Sequence, residues 1–490
     1  MTPSTHNEKM TTPDFTTQPC INPTPTKARV IIVGAGIGGI TMAALLEKAG
    51  IEYQVFERAR EVKPLGSALS IGANVMPLFA QLGVLDEILE NAKPFGFSTG
   101  YNEQREATRT LDYSPAEMIG GFLPHIIARP ILVDILSKLV PKHKILYSKK
   151  ILSCKQDEEG VIIACSDNSS YQAEIVIGAD GAYSGVRQNM YKQLAAQGRL
   201  PKGDAANLPF NSTCLVGQTR PLDPEVYPHL KDSHTWFETI IGEDKPYAWI
   251  TFTTKFNTIC WMVLQHLDEE SSKESDTFRN TEWGPEAAET MCKQIRDFPV
   301  PRNNMTLGDL IDNTPKDLIS KVMLEEKLFD TWYDGRIALI GDACHKLFPS
   351  AGLGAVSAMQ DAVTLANCIY ELPENPTRAE IAKVFKDYQT ERYPLAKNAY
   401  DTSHRLANVV GNRWYNHLLR AVMKFLPKSV FTRSLYVMYA YRPQVSFLPP
   451  VPDRGTIPPS PQASLERARA SAAARAAENE ENDFSGAKAL

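Results

Sequence analysis

The stretch ARVIIVGAGIGGITMAALLEKAGIEYQVFER, residues 28–58, decides the fold. Val30 to Val33 form the short β-branched run that a strand buried on both faces supplies. Gly34-Ala35-Gly36-Ile37-Gly38-Gly39 follows, then an apolar helical segment ending at Gly50, and Tyr53 to Phe56 open a second strand. Strand, glycine turn, helix and strand make a βαβ unit, whose two strands lie parallel. In the G-x-G-x-x-G spacing, Gly34 makes the turn, Gly36 lets the backbone approach a pyrophosphate, and Gly39 lets helix and strand pack closely. Free N–H groups at the helix start then hold the phosphates. Glu57, about 20 residues further on, ends the second strand, where a carboxylate accepts from ribose hydroxyls. The fingerprint implies a dinucleotide and does not separate NAD from FAD.

With 490 residues the chain has room for two or three domains. Its 43% hydrophobic and 22% charged residues are ordinary for a globular protein. A net charge of −5, with no basic block interleaved with aromatics, gives no nucleic-acid signature. The eight cysteines are scattered without C-x-x-C, which argues against zinc and a disulfide framework and suits a reducing, cytoplasmic setting. Residues 1–27 are rich in Thr and Pro, lack an apolar core, and read as a disordered tail. No apolar run approaches the roughly 18 residues of a membrane span. Residues 418–443 come nearest and, interrupted by Lys, Arg and Pro, read as core-packing helices, with peripheral membrane association as the alternative.

Further along, 144–187 reads as successive strands with turns at Glu159-Gly160 and Asp167-Asn168, ending in IGADGAYSGVR (177–187). Between 206 and 317, runs such as TWFETII, YAWITFTT and TICWMVLQHL predict an antiparallel sheet in a separate lobe. RIALIGD (336–342) is another buried strand, SAMQDAVTLANCIYEL (357–372) an amphipathic helix, and helices fill 379–440. The Pro-rich stretch 449–461 marks the end of compact structure.

GDACHKLFPSAGLGA, from Gly341, offers Asp342, Cys344 and His345 within one turn, followed by glycines. A thiol nucleophile, a metal site and a phosphate loop are all conceivable from these residue types. Neighbouring residues on a turn rarely face each other as a catalytic pair, and further metal ligands are absent nearby.

Three motifs in order, VGAGIGG with Glu57-Arg58, IGADGAYSGVR, and GRIALIGDACHKLFPSAGLGAVSAMQDA (335–362), resemble those of class A FAD-dependent aromatic-ring hydroxylases. That family includes para-hydroxybenzoate and salicylate hydroxylases and related fungal monooxygenases, and the resemblance spans about 28–400. GSALSIGANVMPLFAQLG (66–83) matches the loop and helix after the second strand, and Arg129 an arginine on the flavin side. The resemblance implies a Rossmann-like α/β FAD-binding domain of glutathione-reductase type, interleaved with an antiparallel-sheet substrate domain and followed by C-terminal helices. The expected partition is 28–90, 120–205 and 318–375 for FAD, and 91–119 with 206–317 for substrate. Helices follow over 376–448 and a flexible tail over 449–490, after the 1–27 tail.

By resemblance, Asp342 binds a ribityl hydroxyl, and Pro349, Gly352, Leu353, Gly354 and Ala355 pass beside the isoalloxazine ring. Gly34, Gly36, Gly39, Glu57, Arg58, Arg129 and Asp180 complete the expected FAD contacts, and no metal is expected. Cys344 is then a packing residue, His345 a loop support, Asp361 a solvated or packing residue, and Arg187 a fingerprint residue or a surface salt-bridge partner. Leu353 stands where the family often has Gln, which puts polar contacts to the ring in question.

The implied activity uses NADPH or NADH, non-covalent FAD and O2, and transfers one oxygen atom through a C4a-hydroperoxyflavin to a small aromatic substrate. Two alternatives are epoxidation of a prenyl or terpenoid chain in secondary metabolism, and a flavin-bearing, redox-regulated binding protein. A phenol hydroxylase needs a base or acceptor for the ring hydroxyl. His234, Tyr247 and His266 are candidates, none singled out by spacing, and Trp236, Trp249 and Trp261 suit a pocket or a core.

Overall fold

A computed structural model of the chain describes residues 27–61, 68–267, 285–410 and 427–474. The opening βαβ unit forms as its sequence dictates: strand Lys27–Val33, helix Ile37–Lys48 and strand Tyr53–Phe56. Gly50, at φ 67°, takes the left-handed turn that lets the chain double back into the second strand. Lys27–Val33 lies at the sheet centre, parallel to Tyr53–Phe56 on one side and to Ser170–Gly178 on the other. Ile145–Leu146 and Ile337–Leu339 extend it, again in parallel. Val30, Ile31 and Ile32 are at most 1% exposed, which explains a run of branched residues without alternation.

The first half of Ser170–Gly178 pairs antiparallel with Val161–Cys165, and that strand with Ile151–Gln156. The turns fall where Gly160 and Asn168 predict them, Asn168 with φ 64°.

A seven-stranded sheet forms the second lobe, in the order Ser320–Glu325, Phe210–Gln218, Ile259–His266, Tyr247–Thr253, Phe237–Ile241, Phe97–Tyr101, Ala107–Asp112. All its pairs are antiparallel except Phe237–Ile241 with Phe97–Tyr101. Ser320–Glu325 was expected in the cofactor half and is an edge strand here. Its alternation is indistinguishable in sequence from that of either sheet, and pairing with Phe210–Gln218 decides the matter.

The sheet has two different faces. Trp249, Trp261, Val263, Leu215 and Ile240 pack outward with residues of helices Pro285–Ile295 and Leu307–Asp312. Ala248, Ile250, Phe252, Cys260, Leu264 and Leu324 pack inward with Phe348, immediately before the glycine-rich loop.

Helix Gly354–Tyr370 lies against Ile37–Lys48, close enough that a Cβ on Gly38 would sit 3.2 Å from that of Ala358. The long helix Arg378–Val410 packs behind it, and Lys428–Ala440 follows. Residues 1–26, 62–67, 268–284, 411–426 and 475–490, including parts of the expected tails, of the loop after the second strand, of the expected 206–317 lobe and of 418–443, lie outside the described residues. No helix among the described residues is long and apolar enough to cross a membrane.

The expectation of a flexible tail from 449 is corrected over its described part. Residues 463–474 are helical, and Ser464 and Ala468 are fully buried. Side-chain amides do what secondary structure would otherwise do. Gln444 exchanges bonds with Val451, and Gln462 with Gln444, at 2.8–2.9 Å, while Arg442 pairs with Asp453. Proline-rich segments carry no periodicity, so this packing left no trace in the hydrophobic pattern.

Candidate active site

The first and third fingerprint glycines answer to the protein itself. A Cβ on Gly34, at φ 106°, would lie 2.4 Å from the Ala179 carbonyl oxygen, and one on Gly39 1.9 Å from that of Gly34. Gly36 is different, because a Cβ there would meet no protein atom within 4 Å. Helix Ile37–Lys48 has no side-chain cap at Gly36, so its first N–H groups face outward beside bare backbone. Glu57 braces this loop. Its Oε2 accepts from Ala35 N–H and its Oε1 from Ala59 N–H, both at 2.8 Å, leaving lone pairs for a ribose hydroxyl. Arg58 is exposed next to it.

A second bare helix start lies in the Gly341 segment. Pro349–Ala351 makes one tight turn, Gly352 closes it at φ 64°, and Leu353 begins helix Gly354–Tyr370 without a side-chain cap. A Cβ on Gly354 would again meet nothing within 4 Å. Leu353 has no polar group to offer, so polar contact here falls to backbone N–H groups of residues such as Ala355, at the positive end of the helix. Asp342, partly exposed, pairs with Lys346 at 2.7 Å.

Beneath the loop is a buried ionic centre that the sequence did not announce. Asp361, expected to be solvated or packing, is fully buried and holds three partners. Its Oδ2 meets His345 Nε2 at 2.5 Å and accepts from Gly341 N–H at 2.9 Å, and its Oδ1 accepts from Arg392 Nε at 2.8 Å. Burial alone would raise the Asp361 carboxyl, but His345 and Arg392 beside it hold it below the usual carboxylate value. Arg392 comes from the next helix and also reaches the Ser357 carbonyl. His345 thus supports the loop as expected.

Cys344, His345 and Asp361 place possible ligand atoms within 4.8 Å of one another. The Arg392 guanidinium already occupies the other carboxylate oxygen, a poor neighbour for a metal cation. The Cys344 thiol is buried, donates toward the Leu339 and Gly341 carbonyls, and is pushed well above its usual pKa by burial. A protonated, inaccessible thiol is no nucleophile.

Arg187 corrects its surface reading. It is 5% exposed, donates to the Ala343 carbonyl at 2.8 Å and to the Ala182 carbonyl, and stacks on Phe329. It therefore ties the 177–187 motif to the 341–344 turn. The Asp180 carboxylate accepts from Ser184 Oγ and from the Gly185 and Val186 N–H groups, capping helix Gly185–Ala196. Arg129 begins helix Arg129–Ser137 with an exposed side chain, and its charge is felt at Lys346.

Of the candidate phenol partners, Tyr247 lies on the outward face, its hydroxyl 3.4 Å from Gln294. His234 is exposed and bonded to Ser233. His266, in register with Ser212 and 3.2 Å from its hydroxyl, shares the strand parity of the inward Cys260 and Leu264. Trp249 and Trp261 are outward core, and Trp236 stacks on Arg302 at 3.4 Å. Sequence reasoning missed Arg392 and Glu325, which sit in no motif, and gave no role to Tyr183 inside the 177–187 motif. Only a buried position for a charged residue could have flagged the first two.

Two uncapped helix starts with outward-bare glycines, a braced carboxylate beside one and an aspartate beside the other, fit the pyrophosphate, ribose and ring edge of FAD.

Comparison with known proteins bears on the chain as a whole. A family model described as FAD binding domain matches residues 27–403. The FAD-dependent monooxygenase ptmM of Penicillium ochrochloron is 30% identical over 390 residues, 78% of this chain and 88% of that protein. The FAD-dependent monooxygenase atmM of Aspergillus flavus is 27% identical over 86% of this chain and 87% of its own length. Among solved structures, Klebsiella pneumoniae HpxO complexed with FAD and uric acid superposes with a TM-score of 0.67 at 18% identity, covering 84% of this chain and 97% of that one. The 2,6-dihydroxypyridine-3-hydroxylase of Arthrobacter nicotinovorans gives 0.63 at 18%, covering 79% and 94%. At such identities these structures establish the shared fold.

Proposed function

The chain belongs to the FAD binding domain family and is an FAD-dependent monooxygenase, and we propose that it uses NADPH or NADH and O2 to oxygenate a largely apolar substrate at the inward face of the seven-stranded sheet. The single observation that carries the substrate class is that face. Val216, Phe237, Ile241, Ile250, Phe252 and Met262 line it opposite Phe348, and Tyr247 and His234 do not contribute a base. Epoxidation of a prenyl or terpenoid double bond needs no phenolate and suits such a wall. Aromatic hydroxylation is the second reading, favoured by His266 bonded to Ser212 at the inner edge, where a ring hydroxyl would find an acceptor.

Bound FAD supplies the redox and oxygen-activating chemistry. The protein's part is to hold and shield it. Gly34, Gly36 and Gly39 would shape the pyrophosphate cradle with the first N–H groups of Ile37–Lys48. Glu57 would take ribose hydroxyls, with Arg58 at the rim, and Asp342 a ribityl hydroxyl, with Arg129 nearby. The Pro349–Ala355 loop would present N–H groups to the ring edge that gains negative charge on reduction. Asp180 would act through the turn it caps.

The test is NADPH and NADH consumption by the purified yellow protein with prenylated alkenes and with phenolic acids, while product is followed by mass. Accelerated consumption with one oxygen gained by an alkene supports epoxidation, and the same with a phenol supports hydroxylation. No acceleration by either class would sink the proposal.

A further inference from the structure

Tyr183, on the turn between the 177–187 motif strand and its helix, donates its hydroxyl into the carboxylate of Glu325. Glu325 ends the edge strand Ser320–Glu325 of the other sheet and is 4% exposed. This bond therefore joins the two lobes. The charges around Glu325 are Lys346 and Asp342 from the turn expected to hold the ribityl chain, and Arg129 lies behind Lys346. Lys346 is already paired with Asp342, and the neighbouring Glu326 is turned away to His404. We propose that Glu325 is a positioning residue for the flavin seat, whose charge state sets how Lys346 is shared between Glu325 and Asp342 and so tunes FAD binding. This deepens the FAD reading and rests on it.

The sign follows from the charges. Burial carries the Glu325 carboxyl up to about 7, net of the opposing pull of Lys346 and a smaller push from Asp342. Below that pH Glu325 is neutral, and Lys346 serves Asp342 alone. Above it, a second negative charge competes for Lys346 and faces an anionic dinucleotide. FAD should bind more weakly as pH rises through neutrality, by about fivefold, as expected of one partly screened charge.

FAD release from the diluted holoprotein, followed by flavin fluorescence between pH 6 and 8, tests this. The native protein should show the fall in affinity. Glu325→Gln should flatten it near the pH 6 level. Tyr183→Phe, at a 45% exposed position that tolerates change, should move the midpoint upward, because a donor to the ionised carboxylate is lost. A merely structural role would weaken binding equally at every pH. Flat native binding, or variants that keep the native slope and midpoint, would overturn the proposal. A native protein that holds no FAD would overturn the underlying reading and the proposal with it.

Discussion

Arg392 Nε lies 2.8 Å from Asp361 Oδ1, with both side chains at most 1% exposed, so helix Arg378–Val410 is clamped to helix Gly354–Tyr370, which follows the glycine-rich loop, by a buried ion pair. The other Asp361 oxygen fixes His345 and the Gly341 N–H. The position of Asp342, one residue on, is thereby set from below.

Breaking this pair from one side leaves a buried charge uncompensated, which typically costs about 3–5 kcal/mol. Asp361→Asn should lower stability by that order and loosen FAD, as read by urea denaturation and flavin release. A double change to Asn at 361 and Met at 392 should cost less than Asp361→Asn alone. Acid should act in the same direction. A carboxyl held below its unfolded value of 3.8 stabilises above that pH, and the contribution is lost as pH falls through the folded value. The native protein should thus lose stability below about pH 4 more steeply than the double variant.

Gly36 and Gly39 separate cofactor from fold. Gly39→Ala would drive a methyl into the Gly34 carbonyl and should unfold or strongly destabilise the unit. Gly36→Ala meets no protein atom, at an ordinary φ of −71°. It should leave the melting temperature of the apoprotein nearly unchanged and weaken FAD binding by about tenfold or more. Equal effects of the two changes on apoprotein stability would show that Gly36 serves packing.

What the sequence displayed was the part governed by backbone. The βαβ unit, the turns at Gly160 and Asn168, and both glycine loops follow from periodicity and from positions where a side chain cannot fit. Asp361 lay in a helix whose pattern only marks it as polar, and Arg392 came from another helix, so their partnership needed three dimensions. Trp249 and Ile250 are neighbours on opposite faces, and alternation tells that they differ without telling which face meets the cofactor. The packed segment after 449 escaped because amide side chains, not apolar residues in register, hold it.

Cys344 should prove chemically silent. With the thiol buried and its pKa raised, it should resist alkylation in the native protein at pH 8 and react only on unfolding. Cys344→Ala should keep oxygenase turnover within about threefold while costing about 1–2 kcal/mol of stability. Loss of turnover beyond what lower stability explains would give the thiol a role in the reaction.

The two faces of one strand offer the sharpest test of where substrate lies. Trp261 is fully buried on the outward face, its indole N–H bonded to Thr314 Oγ1 at 3.0 Å, and Met262 is partly exposed on the inward face. Trp261→Phe removes that bond and some packing, so it should cost about 1–3 kcal/mol of stability and leave KM within twofold. Met262→Ala strips apolar wall from the proposed site. Losing about 1–2 kcal/mol of contact there would raise KM for an apolar substrate by about fivefold to thirtyfold, with little change in melting temperature. Steady-state kinetics and thermal melts on the same preparations decide it. If Trp261→Phe moves KM and Met262→Ala does not, the substrate lies on the other side of the sheet and the apolar inner wall is only core.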